Sequence, residues 1–199
     1  MWKAFASVDK HLEGYPCSSN LKQIPDIYSG FCWTPAKGLA KGGECGNYKD
    51  EGDCFNREHS WPKSWFGGFS EGHSAQTDLF ELYPSDGKVN GLRGNLPFGY
   101  VKSGTETYVS SNNSKIGECL SDSSIGQCFE AADNLKGDLA RTYFYLSVTY
   151  WKVWECCKGP GYDKWDLAPF MEKDLRNWHK NDPVSDIEMK RNDDIFLNW

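Results

Sequence analysis

The chain has 199 residues and a formal charge of −6, from 22 basic and 28 acidic side chains, which fits one large or two small domains and argues against a passive, basic nucleic-acid coat. Aromatic residues make up 15% of it, far too many for a disordered chain, and no apolar run of ~20 residues is present to cross a bilayer as a helix. Trp2, Phe5, Val8 and Leu12 recur at helical spacing and predict an amphipathic helix ending near Gly14-Tyr15-Pro16. Residues 17–56 are glycine-rich and predict loops and short strands, with one strand candidate at Ile27–Phe31. Leu135, Leu139, Tyr143, Leu146 and Tyr150 predict a helix over roughly Asp133–Lys152, its aromatic stripe facing a core. A further helix fits Pro169–His179, with the proline in its first turn, and the Ser185 and Glu188 spacing predicts the start of another. No repeat or linker divides the chain, so the expectation is one α+β domain over 1–199, mainly helical in its C-terminal half.

Eight cysteines, Cys17, Cys32, Cys45, Cys54, Cys119, Cys128, Cys156 and Cys157, are spread along the chain without a C-x-x-C pair. Disulfides are therefore expected rather than a zinc clip, and with them a secreted or lumenal location. Met1-Trp2-Lys3-Ala4 opens no apolar leader, so a signal peptide is expected to have been removed. Short separations favour bridges Cys45–Cys54 and Cys119–Cys128, while the neighbours Cys156 and Cys157 should find different partners. The sequon Asn112-Asn113-Ser114 is compatible with a surface loop of an exported protein.

Between Asn56 and Gly99, polar and ionisable residues stand where no periodicity requires them. Adjacent Glu58 and His59 can serve one site only at a bend or strand end, because successive strand side chains point to opposite sides. If Asp86–Arg93 is a short helix, Asn90 and Arg93 share a face, and an amide and a guanidinium can address one phosphate. Spacing alone favours a plainer reading, in which Glu58 and His59 are a surface acid and a satisfied histidine, Asn90-Gly91 is a turn and Arg93 is solvated.

The full string reverses that preference. NREHSWPKSWF, followed by TDLFELYPSDGKVNGLRGNLPFG, closely resembles the endonuclease I family of non-specific secreted and periplasmic nucleases, with a weaker likeness at Leu135–Arg141 and Asp182–Ser185. The resemblance implies a ββα-metal (His-Me finger) core over about 54–100. It implies His59 as general base, Glu58 and Asn90 as ligands of Mg²⁺ (Mn²⁺ or Ca²⁺ substituting) and Arg93 as a catalytic phosphate contact. Beside them Arg57 can touch phosphate or pair with an acid, and Arg57 and Asn95 are candidate substrate-binding residues. The chemistry is consistent: hydrolysis of an anionic phosphodiester needs a base for water and a cation for the developing charge. One carboxylate and one amide oxygen suit Mg²⁺, which keeps several waters.

The chain departs from that pattern at Phe80-Glu81, where many relatives carry His-His or His-Asn, leaving Glu81 either near the metal or pointing outward. It also ends at Trp199 without the Asn-Arg-Asn-Pro segment of relatives, so a truncated C-terminus is expected. Trp61, Pro62, Trp65 and Phe66 are expected to pack beneath the site, and Arg141 to form a structural ion pair. His11, His73 and His179 receive no catalytic role. The expected function is a Mg²⁺-dependent endonuclease, monomeric, cutting DNA and also RNA to 5′-phosphate and 3′-hydroxyl ends. Sequence preference should be slight, because no base-reading module is present. The rival is an inactive, disulfide-rich secreted binding protein on the same scaffold.

Overall fold

A computed structural model describes residues 17, 23–33, 47–66, 74–151, 158–163 and 166–198. The helix expected over the first residues, His11, His73 and the cysteines Cys45, Cys156 and Cys157 lie outside them. β1 (Ile24–Pro25) and β2 (Cys32–Trp33) pair antiparallel. The strand expected at Ile27–Phe31 is instead a turn. Asp26 makes it: its carboxylate accepts the backbone N–H groups of Tyr28 (2.8 Å) and Ser29 (3.3 Å) and the Ser29 hydroxyl, a side-chain turn that outweighs the extended preference of Ile27 and Tyr28.

β3 (Phe55–His59) and β4 (Leu82–Asp86) form an antiparallel pair, with Glu58 opposite Tyr83 and His59 opposite Leu82. α1 (Gly87–Arg93) follows β4 without a loop. Asp86 starts it by accepting from the Lys88 and Val89 N–H groups (2.8 and 3.0 Å), as an N-cap acid does. Gly94 ends it at φ +52°, a region that strains residues with a side chain. Two antiparallel strands and a short helix thus follow one another between Phe55 and Arg93.

β5 (Tyr108–Val109), β6 (Lys115–Glu118) and β7 (Gln127–Glu130) build an antiparallel sheet, and Cys119–Cys128 closes the β6–β7 hairpin with Cα atoms 5.0 Å apart. Cys17–Cys32 is a second bridge. Cys54 is also disulfide-bonded, but the pairing expected with Cys45 falls outside the described residues. α2 (Lys136–Thr149) begins one turn later than predicted, after a 3₁₀ turn at Asp133–Leu135. β8 (Lys158–Gly159), β9 (Tyr162–Asp163) and β10 (Asp166–Leu167) form a small meander before α3 (Pro169–Asn181) and α4 (Asp186–Asn198). The Ser185 hydroxyl accepts the Glu188 N–H at 3.0 Å, the cap its spacing predicts. The architecture is α+β, and no helix among the described residues is long and apolar enough to cross a membrane.

The core gathers under β3, β4 and α1. Trp61, Trp65, Phe66, Phe98, Phe129, Tyr143, Met171 and Trp178 are buried in one cluster, each large side chain contributing ~1.5–3 kcal/mol by leaving water. The Trp61 ring lies 5.1 Å from those of Tyr143 and Tyr162, and Phe98 lies 5.1 Å from Tyr143. α2 and α3 approach closely because Gly137, at the start of α2, touches the Asp182 carbonyl, where any side chain would collide with backbone. The helices thereby hold the aromatic layer firmly against the strands.

Candidate functional site

β3 ends at His59, so the chain bends just where two ionisable side chains stand in succession. Arg57, Glu58, His59, Lys63, Ser64, Asn90 and Asn95 line a cleft of about 430 Å³, with Pro62 and Gly94 completing its wall. Glu58 and His59 come from β3, Asn90 from α1, Asn95 from the turn after it, and Lys63 and Ser64 from a 3₁₀ turn at Lys63–Phe66 that Trp65 and Phe66 anchor in the core.

Glu58 is 2% exposed. Its Oε1 accepts the Tyr28 hydroxyl at 2.7 Å and Arg93 Nη1 at 2.9 Å. Burial pushes its pKa up, opposed by the Arg93 charge, the Tyr28 hydroxyl and the His59 backbone. His59 Nε2 lies 3.1 Å from the Gln76 carbonyl. A carbonyl only accepts, so Nε2 carries the hydrogen and Nδ1 has the lone pair. Burial, reinforced by the Arg57 charge and opposed by the Gln76 carbonyl, lowers the His59 pKa to about 4, which keeps the ring neutral at pH 7. Asn90 Nδ2 donates to the Arg57 carbonyl at 3.4 Å, leaving Oδ1 as the end of the amide that can meet a cation.

Among the described residues no group of three or more His, Cys, Asp or Glu side chains converges as a metal cage. One carboxylate and one amide oxygen beside an open cleft form a sparser donor set, all oxygen, and this matches a hard cation that retains water.

A family model described as endonuclease I matches residues 1–198. The chain belongs to the endonuclease I family. It is 35% identical over 156 residues to a Bacillus subtilis (strain 168) protein named extracellular ribonuclease, covering 73% of this chain and 48% of that one. It is 33% identical over 155 residues to a Bacillus amyloliquefaciens protein of the same name, covering 73% and 47%. The chain spans about half the length of the curated relatives it matches.

The site of this endonuclease I family member differs from the expectation most clearly at Arg93. Instead of facing a phosphate, Arg93 has no exposed surface. Its Nη1 donates to Glu58 and to the His59 carbonyl (3.1 Å), and its Nη2 to the Ser60 carbonyl (2.6 Å) and the Tyr143 hydroxyl (3.2 Å). The guanidinium also lies 4.6 Å from the centre of the Phe98 ring. One carboxylate and two backbone carbonyls inside a low-dielectric core draw it inward, away from the cleft.

Glu81 does not point outward: it is fully buried, its Oε2 accepts the Trp61 N–H at 3.1 Å, and burial raises its pKa well above the carboxylate range. Its Oε2 braces the Ser60–Trp61 bend from behind. Trp61, Trp65 and Phe66 do pack beneath the site. Arg141 pairs with Asp138 (3.0 Å) and Glu188 (2.5 Å).

Tyr28, Lys63 and Ser64 escape the sequence reading. Lys63 and Ser64 stand inside the recognised string and carry the signal of a cation next to the histidine bend; Tyr28 lies 30 residues before Glu58 with no local signal. A larger cavity, about 510 Å³, lies between α2, α4 and Phe80. Both of its guanidinium groups are engaged, Arg141 with Asp138 and Glu188 and Arg191 with the Leu79 and Leu82 carbonyls (2.8 and 3.0 Å), and it holds no histidine, so the smaller cleft is the one with general-base chemistry to offer.

Proposed function

We propose that this protein is a secreted, Mg²⁺-dependent endonuclease that hydrolyses internal phosphodiester bonds of DNA and RNA with little sequence preference. The observation that carries the reading is the joint placement of a neutral histidine with an available Nδ1, a buried carboxylate and an oriented amide oxygen around one cleft. Glu58 and Asn90 would hold the cation, with Mn²⁺ or Ca²⁺ able to substitute. A bound divalent ion supplies neutralisation of the charge that develops on the phosphate and the departing oxygen.

His59 Nδ1 accepts the proton of the attacking water, and the Nε2 contact to Gln76 keeps the ring in the tautomer that permits it. Arg57 and Lys63 bring positive charge to the cleft in a chain of net charge −6, and Asn95 adds a polar contact; all three address phosphate, which carries no sequence information. Departure of the 3′-oxygen, which takes its proton from solvent water, yields 5′-phosphate and 3′-hydroxyl ends. Export is supported by the disulfides, Cys17–Cys32 and Cys119–Cys128 among the described residues, and by relatives named extracellular, and RNA as a substrate by their name, ribonuclease. The rival, an inactive binding scaffold, has to explain an intact constellation around an open cleft.

Incubating plasmid DNA and a long RNA with the protein, with EDTA and then with excess Mg²⁺, tests the proposal. Internal cutting abolished by chelator and restored by Mg²⁺ is expected. Cutting indifferent to EDTA would remove the cation from the mechanism, and absence of cutting under all conditions would favour the binding scaffold.

A further inference from the structure

We infer that Tyr28 is a positioning residue that fixes which oxygen of Glu58 meets the cation and in what direction. The inference rests on the cation role proposed for Glu58. Two donors from distant segments, Tyr28 Oη at 2.7 Å and Arg93 Nη1 at 2.9 Å, converge on the same oxygen, Oε1. A carboxylate gripped twice at one oxygen cannot rotate freely about its terminal bond, so Oε2 is presented in one orientation as a single-oxygen ligand. That suits Mg²⁺ and Mn²⁺, which demand regular octahedral positions, better than Ca²⁺, which accepts carboxylates in two-oxygen contact and in looser geometry.

Tyr28 is itself held on three sides. Its N–H donates to Asp26 at 2.8 Å, its carbonyl accepts the Ser110 hydroxyl at 2.7 Å, and its ring lies 4.6 Å from that of Phe129. It is 0% exposed, so its hydroxyl touches neither solvent nor substrate and acts only through Glu58. The Asp26 turn, which replaces the expected strand, is what aims the ring inward toward Glu58.

The test compares Mn²⁺ binding by calorimetry and electron paramagnetic resonance in the wild-type protein and in Tyr28→Phe, which removes one oxygen and leaves the ring packing. Outer contacts to a ligand typically set ~10–100-fold in affinity, so Mn²⁺ should bind at least about tenfold more weakly, Ca²⁺ should lose less, and turnover should recover at saturating metal. In a Glu58→Gln background the same change should leave metal affinity unaltered, because there is no longer a carboxylate to orient. A merely structural tyrosine would lower the melting temperature and leave Mn²⁺ affinity and the Mn²⁺/Ca²⁺ ratio as they are, and that result overturns the inference. Wild type that binds no Mn²⁺ and cuts without it overturns the functional proposal instead. Should Tyr28→Phe fail to fold, Ser110→Ala, which frees the Tyr28 carbonyl but keeps the hydroxyl, should show a smaller loss in the same direction; unchanged affinity there also counts against Tyr28.

Discussion

Replacing Arg93 with methionine should unfold much of the protein's stability margin rather than weaken its hold on nucleic acid. Methionine keeps most of the volume, so the loss is chiefly electrostatic: Glu58, 2% exposed, would keep the Tyr28 hydroxyl but lose its only ion-pair partner among the described residues. Removing one member of a buried ion pair costs ~3–5 kcal/mol. The His59 carbonyl, 3.1 Å from Nη1, adds about 1 kcal/mol as a lost hydrogen bond, whereas Tyr143 still donates to the Ser60 carbonyl at 2.6 Å and keeps that group satisfied. A loss near 4–6 kcal/mol is a large part of the ~5–15 kcal/mol that holds a typical domain together. Urea unfolding followed by tryptophan fluorescence measures it, and Arg93→Met/Glu58→Gln should recover a substantial part, since the orphaned charge is gone. If Arg93→Met unfolds with wild-type stability while KM for nucleic acid rises tenfold, Arg93 faces the substrate and the buried role described here is wrong.

His59→Ala should lower kcat by ~10²- to 10⁴-fold, the usual share of a general base, with an unchanged thermal midpoint; wild-type single-turnover rates would exclude it as the base. Lys63→Ala, at an exposed cleft position, should weaken binding to all sequences alike and reduce the salt slope by about one contact, as read by fluorescence anisotropy at several salt concentrations; an unaltered slope would place Lys63 off the substrate path. Asp26 has its pKa raised by burial from 3.8 to about 7, so the folded state holds this proton more tightly than the unfolded chain does. Its contribution is complete below about pH 4 and is lost as pH rises through 7; Asp26→Asn should therefore fall less in urea-measured stability than wild type between pH 4 and 7, and parallel curves would refute the assignment. Replacing Cys119 and Cys128 by alanine, a bridge closing a separation of 9 residues, should cost ~2–3 kcal/mol, measurable as a lower denaturation midpoint.

The strand–strand–helix unit is legible because everything that makes it is contiguous. The bend follows His59, Asp86 caps α1, and Gly94 ends it within one recognisable string. The Arg93 environment is not legible from that string. Asn90 and Arg93 are three apart on α1, roughly 60° around the axis, enough for one to sit at the rim of the cleft and the other inside. Which way the helix rolls is decided by Tyr143, 50 residues later, and Phe98. The same limit hides Tyr28, whose partner is fixed by tertiary docking. Helix α3 is predictable because proline opens it and Met171, Leu175 and Trp178 share its buried face. The tight Cys119–Cys128 hairpin was likewise within reach of a short-separation argument, whereas Cys17–Cys32 depends on how β2 meets the segment before β1.

The Glu58–Arg93 pair also constrains how the chain assembles. Its halves are 35 residues apart, and the second strand of the hairpin lies between them, so in the folded protein it is the docking of β3, β4 and α1 that brings the two together. Tyr28 must arrive from a third segment, 30 residues upstream. Without that docking the carboxylate has no cation to accompany it out of water, and it can be buried only by taking up a proton. The cleft floor is consequently assembled from three segments distant in sequence, and a chain lacking any one of them carries its histidine and its acid without the surroundings that make them a site.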